Sequence, residues 1–132
     1  MTTGQNKGTI LVVDDEEAAR NAITEALTRE GYDVVSSPSA PDAIIKVVQM
    51  KFEVAIMDIL MPDMSGFELM GVMSKICPET VLIVLTAMLD PSAQLGNTAE
   101  ATGVFAYLKK PCKLRDLKDT VQRALDHKQV LQ

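Results

Sequence analysis

Residues 54–66 read VAIMDILMPDMSG, a short apolar run that ends in a carboxylate. The run from Val54 to Met57 has the length and composition of a buried strand, and Asp58 follows it directly. A turn rich in Pro, Asp, Ser and Gly then leads into a helical pattern. Asp58 is therefore predicted to lie at the carboxyl end of a strand, the edge of an open α/β sheet where ligands bind. Asp is also a common turn former, so Asp58 taken alone is equally consistent with a structural role.

The length and composition of the chain restrict its class. With 132 residues, 47% of them hydrophobic, the chain is predicted to form one domain with a substantial core. No segment approaches the run of about 18 apolar residues that spans a membrane, and the polar start lacks the apolar region of a signal peptide, so we expect a cytoplasmic protein. A net charge of −5 without a dense Lys/Arg tract argues against binding of nucleic acid or anionic membranes by this domain.

Strands alternate with helices along the rest of the chain. The predicted strands cover residues 9–13, 33–36, 54–57, 81–85 and 104–108. The first and fourth are almost wholly apolar, which is typical of parallel strands that are covered on both faces. A helical spacing of apolar residues follows each strand, so the chain is predicted to form an α/β fold with a doubly wound, five-stranded parallel sheet and five helices. The fourth helix should begin near Asp90, and it contains the poor helix formers Gly96 and Asn97.

Local signals set the expected boundaries. The predicted segments are a disordered terminus at residues 1–8, the domain at 9–128, and a tail or the start of a linker at 129–132. Ser39 and Asp42 have the spacing of a capping box at the start of the second helix, and Ser65 and Glu68 have it at the start of the third. We expect the third helix to end before Pro78.

Polar side chains follow four of the five predicted strands. They are Asp14 and Asp15 after the first, Asp58 after the third, Thr86 after the fourth and Lys110 after the fifth. The carboxyl ends of parallel strands meet at one edge, so these groups can converge there. Two carboxylates about 4 Å apart repel by roughly 4 kcal/mol at an effective dielectric near 20, so clustered acids require a counter-ion. An all-oxygen ligand set fits a hard divalent cation, and Mg²⁺ is the expected intracellular ion.

These residues match a known family in type and order. The acidic pair, the loop from Asp58 to Gly66, the Thr86-Ala87 pair and Lys110-Pro111 together resemble the receiver domain of two-component response regulators, and the resemblance covers nearly the whole chain. It implies a flavodoxin-like fold with strand order 2-1-3-4-5. It further implies that Asp58 is the phosphoacceptor.

The resemblance also implies a set of Mg²⁺ ligands. Asp15 and Asp58 would bind the ion directly, whereas Asp14 would support it through water. The backbone carbonyl of Leu60 would be a further ligand.

The remaining site residues are assigned to phosphate binding and switching by the same resemblance. Thr86 and Lys110 would bind the phosphoryl oxygens, and Ala87 would leave room for the phosphoryl group. Tyr107 resembles the aromatic switch residue that acts together with Thr86. The surface expected to change comprises the fourth predicted helix, the fifth strand and the fifth helix.

The expected function is that of a phosphorylation-activated switch rather than a conventional enzyme. A histidine kinase or a histidine phosphotransfer protein would supply the phosphoryl group in a Mg²⁺-dependent reaction. The domain would catalyse its own phosphoryl transfer and a slow autodephosphorylation. The chain is expected to be either a free-standing receiver that controls a separate partner or the first domain of a longer regulator with an output domain beyond Gln132, and transcription regulation is the expected process. A second copy in a phosphorylation-dependent homodimer is a further expected partner.

Two positions need separate treatment. The family lysine directly precedes a proline, which favours Lys110 over Lys109, and Lys109 is then a solvated surface charge. The family often has Phe after this proline, where this chain has Cys112. Cys112 and Cys77 lie far apart and form no CxxC pair, which predicts reduced, structural cysteines.

Three rival functions can be weighed against the sequence. A phosphohydrolase of the haloacid dehalogenase type also uses an Asp nucleophile, but it has a second Asp two residues later, where this chain has Leu60. A flavodoxin-like nucleotide binder needs a loop that accepts phosphate, and the acidic residues 14–17 have the wrong charge. A degenerate receiver that only binds partners is the third alternative, although all five expected site residues are present.

Overall fold

The structure is a computed structural model that describes residues 7–60, 66–87 and 104–130. The strands are β1 (Thr9–Val13), β2 (Asp33–Ser37), β3 (Val54–Met57), β4 (Val81–Thr86) and β5 (Val104–Lys109). The helices in these ranges are α1 (Glu17–Arg29), α2 (Ala40–Gln49), α3 (Gly66–Ile76) and α4 (Leu114–Val130). Four of the five predicted helices are therefore present, and α4 is the one predicted as the fifth. The predicted fourth helix, with Asp90, Gly96 and Asn97, lies outside the described residues.

All five strands form one parallel sheet in the order β2-β1-β3-β4-β5. This confirms the predicted fold class and strand order. The last residues of β1, β2 and β3 are aligned with one another, because Val13 pairs with Ser37 of β2 on one side and with Met57 of β3 on the other. The carboxyl ends of the strands consequently meet along a single edge.

Apolar side chains fill the space on both faces of the sheet. Along β1, Leu11 and Val13 belong to the cluster that packs against α2 and α3, whereas Ile10 and Val12 belong to the cluster that packs against α1 and α4. These four residues are at most 1% exposed. Burying an aliphatic side chain of this size contributes about 1.5–3 kcal/mol relative to leaving it exposed. Two covered faces therefore explain why β1 is apolar throughout instead of alternating.

The start of α2 is only partly what the capping-box spacing predicts. The Ser39 hydroxyl accepts a hydrogen bond from the Asp42 backbone N–H at 3.2 Å, as an N-cap should. The Asp42 carboxylate, however, accepts from the Ser37 hydroxyl and from the Lys46 ammonium, both at 2.7 Å. Asp42 thus ties the end of β2 to the first turn of α2. Ser65 of the second predicted box lies outside the described residues.

The ends of the described chain extend slightly past the predicted domain. The Lys7 N–H donates to the Gly31 carbonyl at 3.1 Å, and the Gly8 carbonyl accepts from Asp33 N–H at 2.9 Å. Lys7 is therefore hydrogen-bonded to the turn before β2, and Gly8 to the first residue of β2. Helix α4 continues to Val130. In the described ranges, no helix has the length and apolar character needed to cross a membrane.

Candidate functional site

Backbone hydrogen bonds bring three predicted residues to the carboxyl edge of the sheet. The Asp14 N–H donates to the Ser37 carbonyl at 3.2 Å, and the Asp58 N–H donates to the Val13 carbonyl at 3.1 Å. The Lys110 N–H donates to the Thr86 carbonyl at 2.8 Å. Each bond continues the sheet ladder one residue past a strand end. The positions of these side chains therefore follow from the pairing of the strands.

The Lys110 ammonium joins two of the carboxylates. Its Nζ donates to Asp14 Oδ2 at 2.7 Å and to Asp58 Oδ2 at 3.0 Å, and it lies 3.9 Å from Glu16 Oε1. The side chains of Asp14 and Asp58 are only 4% and 8% exposed, and that of Lys110 is 19% exposed. Charges this deeply buried need a partner. Lys110 provides it for both acids.

Two opposing effects act on the pKa of Lys110. Burial lowers the pKa because it disfavours the charged ammonium, whereas the hydrogen bonds and negative charges of Asp14 and Asp58 raise it. The second effect prevails, so the pKa of Lys110 lies above its ordinary value. Lys110 is consequently a permanent cation at neutral pH.

Short turns hold the remaining oxygen of each buried acid. Asp14 Oδ1 accepts from the Glu16 N–H at 2.9 Å, and Asp58 Oδ1 accepts from the Leu60 N–H at 2.9 Å. In both cases the side chain bonds to the backbone two residues later, which is the usual way Asp stabilises a turn. Both carboxylates are thus fixed in orientation from two sides.

A third acid completes the cluster. Carboxylate oxygens of Asp14, Asp15 and Asp58 lie within 4.8 Å of one another, and Asp15 is exposed. A set made only of carboxylate oxygens suits a hard cation such as Mg²⁺ or Ca²⁺. One ammonium does not neutralise three carboxylates, so the cluster retains the negative charge that a divalent cation would balance. The donor set therefore fits the predicted metal. Leu60, the predicted backbone ligand, adjoins the cluster through its N–H bond to Asp58.

The predicted phosphate-binding and switch residues lie on β4, just after it, and on β5. Thr86 is fully buried at the end of β4, and Ala87 is the exposed residue that follows. Tyr107 pairs with Val84 across the two strands and packs against the core cluster that contains α2 and α3. Burial raises the pKa of the Tyr107 hydroxyl. The structure places Lys110 in the acidic cluster and leaves Lys109 exposed. The Lys110–Pro111 peptide bond is cis.

Sequence reasoning missed two residues that bind around Asp14. The Arg20 guanidinium donates to the Asp14 backbone carbonyl at 2.8 Å. Glu16 contributes its N–H to the Asp14 carboxylate and brings its own carboxylate near Lys110. The acids at residues 14–17 were predicted only as a metal-binding or helix-starting run. A single Arg one turn later was the available signal, because it can reach back to the loop.

A cavity of about 470 Å³ adjoins the cluster between α1 and the start of α4. Its lining is mostly apolar, with Lys110 and Glu16 at the end nearest the acids and Cys112 in the wall. Burial is the main cause that raises the pKa of the Cys112 thiol. Cys112 and Cys77 are both free thiols, and Cys77 is buried.

Comparisons with known proteins agree with this architecture. A family model described as the response regulator receiver domain matches residues 10–122. The DNA-binding transcriptional regulator NtrC of Azospirillum brasilense is 36% identical over 118 residues, which cover 89% of this chain and 24% of that protein. The transcriptional regulatory protein TdiR of Thauera aromatica is 33% identical, covering 91% of this chain and 52% of that protein. The chain thus spans about a quarter and about half of these two relatives.

Solved structures share the fold. A CheY-like response regulator receiver domain protein from Methanospirillum hungatei JF-1 superposes with a TM-score of 0.85 at 32% identity, covering 94% of this chain and 98% of that one. The response regulator protein TrrA from Thermotoga maritima, in complex with Mg(2+)-BeF, gives a TM-score of 0.77 at 30% identity, covering 89% and 98%. The family match spans most of the chain, and the fold and strand order agree with it. The chain belongs to the response regulator receiver domain family.

Proposed function

We propose that this receiver domain is switched by phosphorylation of Asp58, with a histidine kinase or a histidine phosphotransfer protein as donor. The observation that carries the proposal is the position of Asp58 at the end of β3. Its buried carboxylate lies 3.0 Å from the Lys110 ammonium, inside a cluster of three acids. A buried carboxylate held beside a cation and a cation-binding cluster has the surroundings that phosphoryl transfer to Asp requires.

The Asp58 carboxylate would act as the nucleophile. One carboxylate oxygen forms a bond to phosphorus while the bond between phosphorus and the donor's histidine nitrogen breaks and leaves its electron pair on that nitrogen. With a proton on the other ring nitrogen of the donor, the products are an aspartyl phosphate and a neutral histidine. A carboxylate is already ionised at neutral pH, so no general base is needed. The Leu60 N–H and Lys110 hold the carboxylate in place before the reaction. The domain thereby catalyses its own modification, and we propose that autodephosphorylation is slow.

The acidic cluster would hold Mg²⁺ through Asp15 and Asp58, with Asp14 as a supporting carboxylate and the Leu60 carbonyl as a further ligand. The bound ion would supply positive charge beside the phosphoryl oxygens. Both carboxylate oxygens of Asp14 and of Asp58 accept hydrogen bonds from protein groups, whereas the Asp15 carboxylate makes none within the described residues. Asp15 is exposed and available.

Thr86, Ala87 and Lys110 would receive the phosphoryl oxygens. Lys110 already pairs with Asp58, so it would remain beside the group after transfer. The Thr86 hydroxyl would donate a hydrogen bond to it, and the small Ala87 side chain would leave space. Tyr107 would then repack beside Thr86, so that β5, α4 and the helix predicted between β4 and β5 form the responding surface.

We propose that the switch controls transcription. The support is the set of relatives that this chain spans only in part, since NtrC and TdiR are named as transcriptional regulators. An output domain in the same polypeptide, a phosphorylation-dependent homodimer through the responding surface, and a cytoplasmic location all belong to this proposal.

The test of the proposal is the replacement Asp58→Asn. With acetyl phosphate and Mg²⁺, the parent should gain the mass of one phosphoryl group, and Asp58→Asn should gain none, because an amide is a poor nucleophile. Asp119→Asn is the matched control, since Asp119 is exposed on α4 and pairs only with Arg123 in the part of the chain that the structure describes. Full labelling of the Asp58→Asn protein would refute the assignment.

A further inference from the structure

Every polar group of Asp14 has a partner, and one of these partners comes from helix α1. Its N–H binds the Ser37 carbonyl, Oδ1 binds the Glu16 N–H, and Oδ2 binds Lys110. The fourth group, its backbone carbonyl, accepts a hydrogen bond from Arg20 Nη1 at 2.8 Å. Arg20 is half-buried in the first part of α1. A hydrogen bond from a charged donor of this length belongs to the strong class.

The hydrogen bond from Arg20 to the Asp14 carbonyl also affects Asp15, because this carbonyl belongs to the peptide group that joins the two residues. The Asp14 carbonyl and the Asp15 N–H belong to one planar peptide group. Fixing the carbonyl therefore fixes the plane from which Asp15 continues. The Asp15 carboxylate itself has no hydrogen bond or ion pair within the described part of the chain, so its own side chain does not hold it in the cluster.

The start of α1 provides no alternative support. The N-cap residue Glu16 makes no side-chain capping bond. The loop between β1 and α1 is thus held by Asp14 and by the Arg20 contact that reaches back from the helix.

We propose that Arg20 is a positioning residue for the acidic cluster. Its guanidinium holds the peptide between Asp14 and Asp15 so that the oxygens of these two acids and of Asp58, which lie within 4.8 Å of one another, can converge on one cation. The inference rests on the proposed function to the extent that this cluster binds Mg²⁺.

A purely electrostatic role for Arg20 predicts the opposite result. A positive charge near a cation site repels the cation, so its removal should tighten Mg²⁺ binding. A positioning role predicts weaker binding, because the ligands lose their arrangement. The sign of the change in affinity therefore separates the two roles.

The experiment compares Arg20→Leu with Arg29→Leu in the full chain. Arg29 lies on the same helix, but its guanidinium pairs with Glu25 on the surface, where their side chains are 75% and 67% exposed. The Mg²⁺ affinity is measured from the dependence of the melting temperature on Mg²⁺ concentration. Arg20→Leu should weaken binding by about tenfold or more, the usual effect of losing a group that orients metal ligands. Arg29→Leu should match the parent.

Two further measurements keep the result interpretable. Arg20→Lys should recover part of the affinity, since an ammonium can also donate to the Asp14 carbonyl. Without any metal, the Glu16 amide, which is bonded to Asp14, should exchange faster in Arg20→Leu than in Arg29→Leu. If Arg20→Leu does not fold, Arg20→Lys and Arg20→Gln are compared with the parent instead, and both should bind Mg²⁺ more weakly.

Unchanged or tighter Mg²⁺ binding in the Arg20 variants, while the parent binds Mg²⁺, overturns the inference and leaves the proposed function intact. Failure of the parent to bind Mg²⁺ overturns both.

Discussion

Lys110 determines the charge balance of the site. Its ammonium lies between Asp14 Oδ2 and Asp58 Oδ2, so in the absence of metal it acts as the counter-ion of both acids. A cation that approaches the cluster competes with Lys110 for the same oxygens. We therefore expect Lys110 to stabilise the metal-free protein and to weaken cation binding at the same time.

Replacement of Lys110 should therefore separate stability from metal affinity. Lys110→Met should lower the free energy of unfolding without metal, by less than the ~3–5 kcal/mol typical when one partner of a fully buried pair is removed, because Lys110 is 19% exposed. The same variant should bind Mg²⁺ more tightly than the parent and accept phosphoryl groups more slowly. Urea unfolding with and without Mg²⁺, and labelling by acetyl phosphate, measure the three effects.

Lys109→Met is the control for Lys110→Met, because Lys109 is exposed and makes no ion pair within the described residues. It should leave Mg²⁺ affinity unchanged. An equal or weaker Mg²⁺ affinity in Lys110→Met would contradict the competition between Lys110 and the cation.

The sequence predicts which residues meet at this edge of the sheet. They directly follow the strands, and parallel pairing brings the carboxyl ends of the strands together. The sequence does not predict that Asp14 is buried whereas its neighbour Asp15 is exposed. That difference depends on the turn, in which Asp14 folds inward to bond Glu16 and Lys110. The Arg20 contact was missed for a related reason, since a side chain that binds a carbonyl leaves no periodic pattern.

At the junction of β2 and α2, the predicted Ser39 cap is present, but the Asp42 carboxylate bonds to two other side chains instead of completing the capping box. Asp42 accepts from Lys46 and Ser37, and Lys46 also donates to the Ser36 carbonyl at 2.7 Å. The capping-box spacing predicts the Ser39 contact correctly. It does not predict the partners of the Asp42 carboxylate, because the spacing rule concerns only the first turn of the helix and Ser37 lies on β2.

This junction should make a pH-dependent contribution to stability. The hydrogen bond from Lys46, and secondly that from Ser37, lower the pKa of Asp42 below 3.8, while its slight burial opposes them. A carboxyl with a lowered folded pKa stabilises the protein above its unfolded pKa, and this contribution is lost as the pH falls through the folded pKa. Asp42→Asn should thus cost below about 1 kcal/mol at pH 7, because the pair is partly exposed.

Urea unfolding of the parent and of Asp42→Asn at several pH values measures this contribution. The difference between them should be constant above the unfolded pKa and should shrink as the pH falls below 3.8. Asp119→Asn, at a more exposed pair of the same spacing, should differ little from the parent at any pH. A difference for Asp42→Asn that does not vary with pH would show that the ionised form contributes nothing.

For the molecule as a whole, β5 connects the site to the surface, because Lys110 of the acidic cluster directly follows this strand. β1, β3 and β4 are buried almost throughout, whereas every residue of β5 is partly or fully exposed. β5 is also one of the two edge strands, and it pairs only with β4 among the described strands. The unbroken apolar runs in the sequence correctly predicted that β1, β3 and β4 are buried. The sequence could not show that no residue of β5 is fully buried, because the exposure of a strand depends on what packs against it.

Occupation of the site by a phosphoryl mimic should change the amide exchange of β5 and α4. Thr86 ends β4 fully buried, and it pairs with Lys109 while Val84 pairs with Tyr107, so a shift of Thr86 is passed directly to β5. A phosphoryl group shifts the equilibrium between two conformations of the domain only if it interacts more favourably with one of them. The Thr86 hydroxyl must therefore bond the phosphoryl group better in one conformation than in the other.

With Mg²⁺ and beryllofluoride, amide exchange should change within β5 and the first turns of α4, while the amides of β1 remain protected. Thr86→Ala should still bind the mimic but show a smaller change, and Asp58→Asn should show none. Unchanged exchange in β5 and α4 of the parent, with the mimic bound, would mean that the domain is rigid and that its partners sense only the added charge.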